Sequence, residues 1–218
     1  EAAALPLTAI TAWELLFERL QITQGKDDQG QSLLIVGAAG GVGSVLVQLA
    51  RQLTGLTVIG TASRPETQAW VRELGAHHVI DHRQPLSEEL KRIGINQVTH
   101  VASLTQTDQH FAQLVEALAP QGRLALIDDP EQPLDIMQLK RKSLSLHWEL
   151  MFTRSLFETA DMIEQHHLLN RVAELVDAGT LRTTLGEHFG TINAANLRRA
   201  HALLESGTAK GKIVLEGF

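Results

Sequence analysis

The sequence predicts an α/β fold: a Rossmann-type, doubly wound parallel sheet of six strands with helices on both faces. Three observations carry this. Leu33 to Val36 is a run of bulky apolar residues that leads straight into the glycines of Gly37 to Gly43. A helical pattern follows at once, with Val42, Val45, Leu46, Leu49 and Leu53 on one face. From there to Leu150, strand-like and helix-like stretches alternate, which right-handed crossovers build into a parallel sheet. The first strand is apolar throughout rather than alternating, as suits a sheet covered on both faces.

In order, Pro6 to Leu20 opens as an amphipathic helix, with Ile10, Trp13, Leu16, Phe17 and Leu20 on one face. Gly25 to Gly30 reads as a polar turn carrying Lys26, Asp27 and Asp28. After the first strand and its helix, Thr57 to Thr61 is the second strand. Pro65 suits the first turn of the next helix, which buries Trp70, Val71 and Leu74 and ends at Gly75. His78 to Asp81 is the third strand, Leu86 to Ile93 a short helix with Glu88 and Glu89 near its start, and Val98 to Leu104 the fourth strand. Asp108 to Ala119 reads as a helix stopped by Pro120, Arg123 to Ile127 as the fifth strand, broken by Asp128-Asp129-Pro130, and Ser143 to Leu150 as the sixth. The expected order is 3-2-1-4-5-6, with a ligand crevice between strands one and four. Ser155 to Asp177 then reads as one long helix, Leu181 to Leu185 as a strand, Ala194 to Ser206 as a helix and Lys212 to Leu215 as a last strand.

A strand, a glycine turn and a helix in that order can seat a dinucleotide. The turn aims backbone N–H groups and the positive end of the helix dipole at one point, where a pyrophosphate fits. Here the usual G-x-G-x-x-G begins on Ala38, with Gly40 and Gly43 in the later places. Gly37 supplies the tight turn, Gly40 lets backbone approach phosphate, and Gly43 lets helix lie on strand. Ala39, Gly41 and Val42 complete the cradle. The alternative is an ordinary strand-to-helix turn with no ligand.

The end of the second strand separates the two nicotinamide cofactors. An acid there binds the ribose hydroxyl of NAD, and its absence with a nearby base suits the 2′-phosphate of NADP. The residues are Thr61-Ala62-Ser63-Arg64, with no carboxylate. Ser63 and Arg64 can both donate to a phosphate, so the reading is NADP, against Arg64 as a solvated surface residue. His82 either flanks the adenine or phosphate or is a surface-loop histidine. Leu104 and Ile127 end their strands on the crevice side and either border the nicotinamide half or are plain core.

Composition narrows the classes. The chain has 218 residues, a net charge of −6, no cysteine and no tyrosine. The acidic balance argues against nucleic acid as a partner, and no run approaches a membrane span. Without cysteine there are no disulfides and no cysteine-based zinc site in this chain, which fits a cytoplasmic protein. Without tyrosine, a Tyr-x-x-x-Lys proton donor is excluded. The chain opens at Glu1, already in helical pattern, so the expectation is a piece of a longer protein. The pairs His77-His78 and His166-His167 do not read as metal sites, because neighbours on a strand face opposite ways and neighbours on a helix lie about 100° apart. Lys140-Arg141-Lys142 reads as a solvated turn.

With these residues in view, the chain resembles the medium-chain dehydrogenase/reductase superfamily, and in particular its zinc-independent, quinone oxidoreductase-like branch, whose members are often labelled zinc-type alcohol dehydrogenase-like. The likeness rests on Ala2 to Ala9 with Thr11-Ala12-Trp13, on Gly37 to Gly43, on Leu74 to Ile80, and on Ala200-His201 through Gly211 to Leu215. The resemblance implies a cofactor domain over residues 1–152. It also implies that residues 153–218 return to a β-rich, GroES-like catalytic domain that precedes this chain and is mostly missing from it. It further implies hydride transfer from NADPH to a quinone or α,β-unsaturated carbonyl, and a homodimer through the sheet edge near Leu144 to Leu150. Thr11 and Trp13 border the nicotinamide by resemblance, Trp13 otherwise being helix packing. Two other readings stay open: a non-catalytic NADP(H)-binding module, and a zinc-dependent alcohol dehydrogenase whose metal lies in the missing part. No catalytic residue is assigned. The fragment is expected to bind nucleotide and turn over poorly.

Overall fold

The computed structural model describes residues 1–27 and 30–218; Asp28, which the sequence places in the polar turn, lies outside the described residues. A short 3-10 turn, Ala2–Ala4, leads into α1 (Pro6–Trp13), which continues as a π-helix over Glu14–Arg19. The wider winding of that last turn buries Leu15, Leu16 and Leu20 together and differs from the regular helix the spacing predicts.

The alternating core follows as β1 (Ser32–Val36), α2 (Gly41–Leu53), β2 (Thr57–Thr61), α3 (Pro65–Glu73), β3 (His78–Ile80), α4 (Leu86–Arg92), β4 (Val98–Ser103), α5 (Thr107–Ala117), β5 (Leu118–Leu126), α6 (Met137–Lys140) and β6 (Ser145–Trp148). All neighbouring strands pair in parallel, in the order β3-β2-β1-β4-β5-β6. The predicted Rossmann sheet is therefore present. Every residue of β1 is buried, because one hydrophobic cluster packs α1, α2 and α3 on one face while a second packs α4 and α5 on the other.

Two lysines do unexpected work at helix ends. Lys142 Nζ donates to the carbonyls of Val115, Glu116 and Leu118 at 2.9, 2.8 and 2.7 Å. The basic run at 140–142 is thus not merely solvated: one cation closes the C-terminus of α5, where free carbonyls and the negative dipole end favour it. Lys26 does the same for α2, through Arg51, Gln52 and Thr54. With Lys142 there, α5 stops at Ala117, and β5 begins at Leu118, earlier than the sequence indicates.

After β6 the predicted long helix is broken into α7 (Thr153–Leu156) and α8 (Glu164–Asp177). The cause is Arg154, buried with its guanidinium on Glu14, Glu18 and Asp161. Bringing Asp161 back to Arg154 bends the chain through Glu158 at φ +47°, which no helix accommodates. Ile163 is left exposed. The segment then forms β7 (Leu185–His188), four residues later than predicted, α9 (Ala194–Glu205) and β8 (Lys212–Val214). Strands β7 and β8 make a separate two-stranded parallel sheet. No other β-rich unit occurs among the described residues, and none of their helices is long and apolar enough to cross a membrane.

Candidate functional site

Local chemistry at the end of β1 shapes the site. Gly37 turns the chain at φ +79°. At Gly43 an added Cβ would strike the Gly37 carbonyl and lie 2.6 Å from Ala38 Cα, so this position holds α2 against the turn. Gly40 is different: a Cβ there would meet only the Gly37 oxygen, at 3.4 Å. Its bareness keeps open the space in front of it and is not needed for packing. Ser44 N–H makes the first bond of the helix, to Gly40. The N–H groups of Gly41, Val42 and Gly43 come before it and have no partner within the helix.

These groups face a cavity of about 460 Å³, within the usual range for a small-molecule site. Eleven of the residues the sequence nominated line it, and Thr11 and Trp13 do not. Gly37, Ala39, Gly40, Gly41, Val42 and Gly43 form its floor, Ser63 and Arg64 come from the end of β2, His82 from the end of β3, and Leu104 and Ile127 from the ends of β4 and β5. The cavity thus sits where the strand order reverses between β1 and β4.

Arg64 is not free in this structure. Its Nη2 donates to the Thr208 carbonyl at 2.7 Å, and its Nε pairs with Glu66 at 2.9 Å. His82 is half-buried, and desolvation holds its pKa below the usual histidine value, against the opposing pull of Asp81. Trp13 lies elsewhere, packed edge-on against Phe17, and Thr11 is buried with its hydroxyl on the Leu7 carbonyl. From α1 it is Leu7 and Thr8 that reach the cavity.

Sequence reasoning missed the C-terminal wall. Gly207, Ala209 and Lys212 line the cavity. The tail is held there because Gly211 N–H donates to the Ala39 carbonyl at 2.9 Å. Gln48, on α2, also exchanges hydrogen bonds with the backbone of Arg182. Lys212 crosses the N-terminus of α2, so a Cβ at Gly41 would lie 3.2 Å from its Nζ. Burial lowers its pKa. A cation and a helix N-terminus directed at one point form a seat for a phosphate group. The sequence signal was Gly211-Lys212 itself, which suggested a strand and not a ligand.

The opposite wall is braced by Asp128. Its carboxylate accepts from Thr107 N–H at 2.9 Å and from the Thr107 hydroxyl, which in turn lies 2.8 Å from Ser103 Oγ. This ties the ends of β4 and β5 together and sets Leu104, Thr105 and Gln106 at the rim, with Gln106 at φ +52°.

For metals the residues present do not form a site. Among the described residues, no three His, Asp or Glu side chains converge, and the sequence has no cysteine.

A doubly wound parallel sheet with a glycine turn and a helix N-terminus at its switch point is the architecture of the dinucleotide-binding dehydrogenases. The profile of the zinc-binding dehydrogenases matches residues 74–215, and the chain belongs to that family, within the medium-chain dehydrogenase/reductase superfamily. It is 37% identical over 216 residues to the zinc-type alcohol dehydrogenase-like protein SAS2087 of Staphylococcus aureus, covering 99% of this chain and 64% of that one. This chain therefore spans about 64% of that relative's length. Among solved structures, a Rhizobium etli CFN 42 protein assigned to the zinc-dependent alcohol dehydrogenases is 60% identical, with a TM-score of 0.93 over 100% of this chain and 63% of that one. The mycobacterial protein Rv1454c, solved in complex with NADPH, is 26% identical, with a TM-score of 0.82 over 99% of this chain and 64% of its own.

Proposed function

We propose that this chain is the cofactor-holding part of a cytoplasmic NADPH-dependent oxidoreductase acting on a quinone, an α,β-unsaturated carbonyl or a related small carbonyl compound. The observation that carries the cofactor reading is the bare N-terminus of α2 facing a cavity crossed by Lys212. The N–H groups of Gly41, Val42 and Gly43, with the Lys212 ammonium, hold the pyrophosphate. Ser63 and Arg64 hold the 2′-phosphate, and His82 flanks the adenosine end. Leu104 and Ile127 shield the nicotinamide half from water, in loops fixed by the Asp128–Thr107 bonds. When bound, the cofactor supplies a hydride. This chain's part is to orient it, and we assign none of its residues as proton donor.

Relatives named as zinc-type make a zinc-dependent alcohol dehydrogenase the second reading. The described residues do not fit such a metal, and we derive no step through it. In either case, residues 153–218 serve as the segment that returns to a β-rich catalytic domain, and residues 1–152 as the cofactor domain. We further propose a homodimer through the outer edge of β6, where backbone groups are unpaired within the sheet and Trp148 is 50% exposed.

Titrating this chain with NADPH and NADH tests the cofactor reading. NADPH is expected to bind at least about tenfold tighter, the effect of one charge-assisted contact worth about 1.4 kcal/mol or more. No binding of either coenzyme at millimolar concentration overturns it. Enone- or quinone-dependent NADPH oxidation by the full-length protein tests the reaction. Tight binding without turnover on any carbonyl compound would instead favour a non-catalytic NADP(H)-binding module.

A further inference from the structure

Ser63 at the end of β2 and His82 at the end of β3 line the cavity with Arg64, and His110, on the first turns of α5, packs on His82. The two imidazoles pack edge to face, with ring centroids 6.1 Å apart and planes at 77°. His110 is 92% buried on its 8% residual exposure, and its Nδ1 has no hydrogen-bond partner among the described residues. An orphaned buried ring nitrogen is costly. His82 stands between this ring and the cavity.

We propose that His82, backed by His110, is a proton-coupled reader of the 2′-phosphate, so that a dinucleotide carrying this group binds together with a proton from solvent and one lacking it does not. The inference rests on the NADPH reading above. The charged groups around the pair leave the imidazoles available for this role. Asp81 is occupied by Arg83, whose guanidinium donates to both carboxylate oxygens and to the Ser63 carbonyl. Glu89, from α4, is held by Arg92 and by the Asp81 N–H. Arg64 is engaged with Glu66 and Thr208. Asp128 is held by Thr107 at the start of α5, and the charge of Asp108, on α5, favours a proton on His110. Burial disfavours the charged form of both rings in the empty site. A phosphate dianion at the mouth reverses that balance, because an opposite charge at contact distance outweighs partial desolvation. One proton enters and one positive charge forms, on His82 at the cavity, since a charge on one ring opposes a charge on the other.

The direction in pH follows. The imidazole pKa is low in the empty site and raised in the complex, so uptake occurs between the two values. The preference for NADPH steepens as pH falls toward 6, where the phosphate's own second ionisation begins to offset it. Above pH 8 it flattens to what Ser63 and Arg64 provide.

Calorimetry in two buffers of different ionisation enthalpy measures the coupling directly. At pH 7 we expect uptake of about 0.3 to 0.9 proton per NADPH and none with NADH. His82→Gln should remove the uptake and weaken NADPH at pH 6.5 by about fivefold to twentyfold, a larger loss than NADH shows. His110→Phe keeps the packing and should leave uptake in place through His82. NADPH preference without proton uptake, or uptake that survives His82→Gln, overturns this proposal alone. Equal affinity for NADPH and NADH at every pH overturns the cofactor reading on which it stands.

Discussion

The Arg64 guanidinium donates to the carbonyl of Thr208 across 2.7 Å, a contact between residues 144 apart in the sequence. It joins the end of β2 to the tail that forms the far wall of the cavity. The residue read as the 2′-phosphate ligand is therefore also the one that latches the tail, and its Nη1 is the nitrogen outside these two contacts.

Arg64→Ala should weaken NADPH binding by about 1.5 to 3 kcal/mol, the worth of a hydrogen bond to a charged group. NADH should lose less than NADPH, because the phosphate contact is one NADH lacks, whereas the latch on the tail serves both. Fluorescence titration of both coenzymes checks this, and an unchanged NADPH dissociation constant would remove Arg64 from the site.

Gly40 and Gly43 should separate binding from stability. Gly43→Ala drives a Cβ into the Gly37 carbonyl and Ala38 backbone, and is expected to cost about 3 kcal/mol or more in denaturant unfolding. Gly40→Ala meets only the Gly37 oxygen at 3.4 Å. It should change stability by less than about 1 kcal/mol while lowering affinity for either coenzyme at least tenfold, through the methyl it places in the phosphate seat.

Lys142→Met keeps the aliphatic stem and removes three donated bonds at the end of α5. A loss of about 1 to 2 kcal/mol is expected, measured by urea unfolding. Coenzyme affinity should not change, since Lys142 is not among the residues lining the cavity.

Glu149 supplies a pH test of the ion network. Its side chain has no exposure, and it pairs with Arg19 at 2.8 Å. Burial, together with Glu14 nearby, outweighs that pair and pushes its pKa up to about 8. The folded protein therefore holds a proton that the unfolded chain releases near pH 4.5, so this group's contribution to stability falls as pH rises from about 4.5 to 8. The slope is at most about 1.4 kcal/mol per pH unit. Glu149→Gln should flatten that dependence in unfolding measured from pH 5 to 8.5. An unchanged slope would show that another group titrates.

The β6 edge predicts a dimer that a charge disrupts. Trp148→Glu, at a half-exposed position on the outermost strand, should convert dimer to monomer in sedimentation at micromolar concentration. A wild-type chain already monomeric at that concentration removes the proposal.

What the sequence determined by itself is local. The strand β1, the glycine turn and α2 were legible because each signal spans neighbouring residues: a continuous apolar run, a backbone that needs glycine, and a helical repeat. The order of the six strands followed from the alternation and the handedness of crossovers. The nominated cavity residues were legible because they sit at strand ends, whose place in such a sheet is set by topology. The tertiary structure alone decided the rest. Lys212 enters the site only because Gly211 docks on Ala39, and Arg154 breaks a helix only because Glu14, over a hundred residues away, needs a partner. Lys142 becomes a cap only when the turn before β6 falls beneath α5. Each is a long-range pairing of a charge or backbone group with a partner that no periodicity marks, and its energy depends on burial that exists only once the chain is folded.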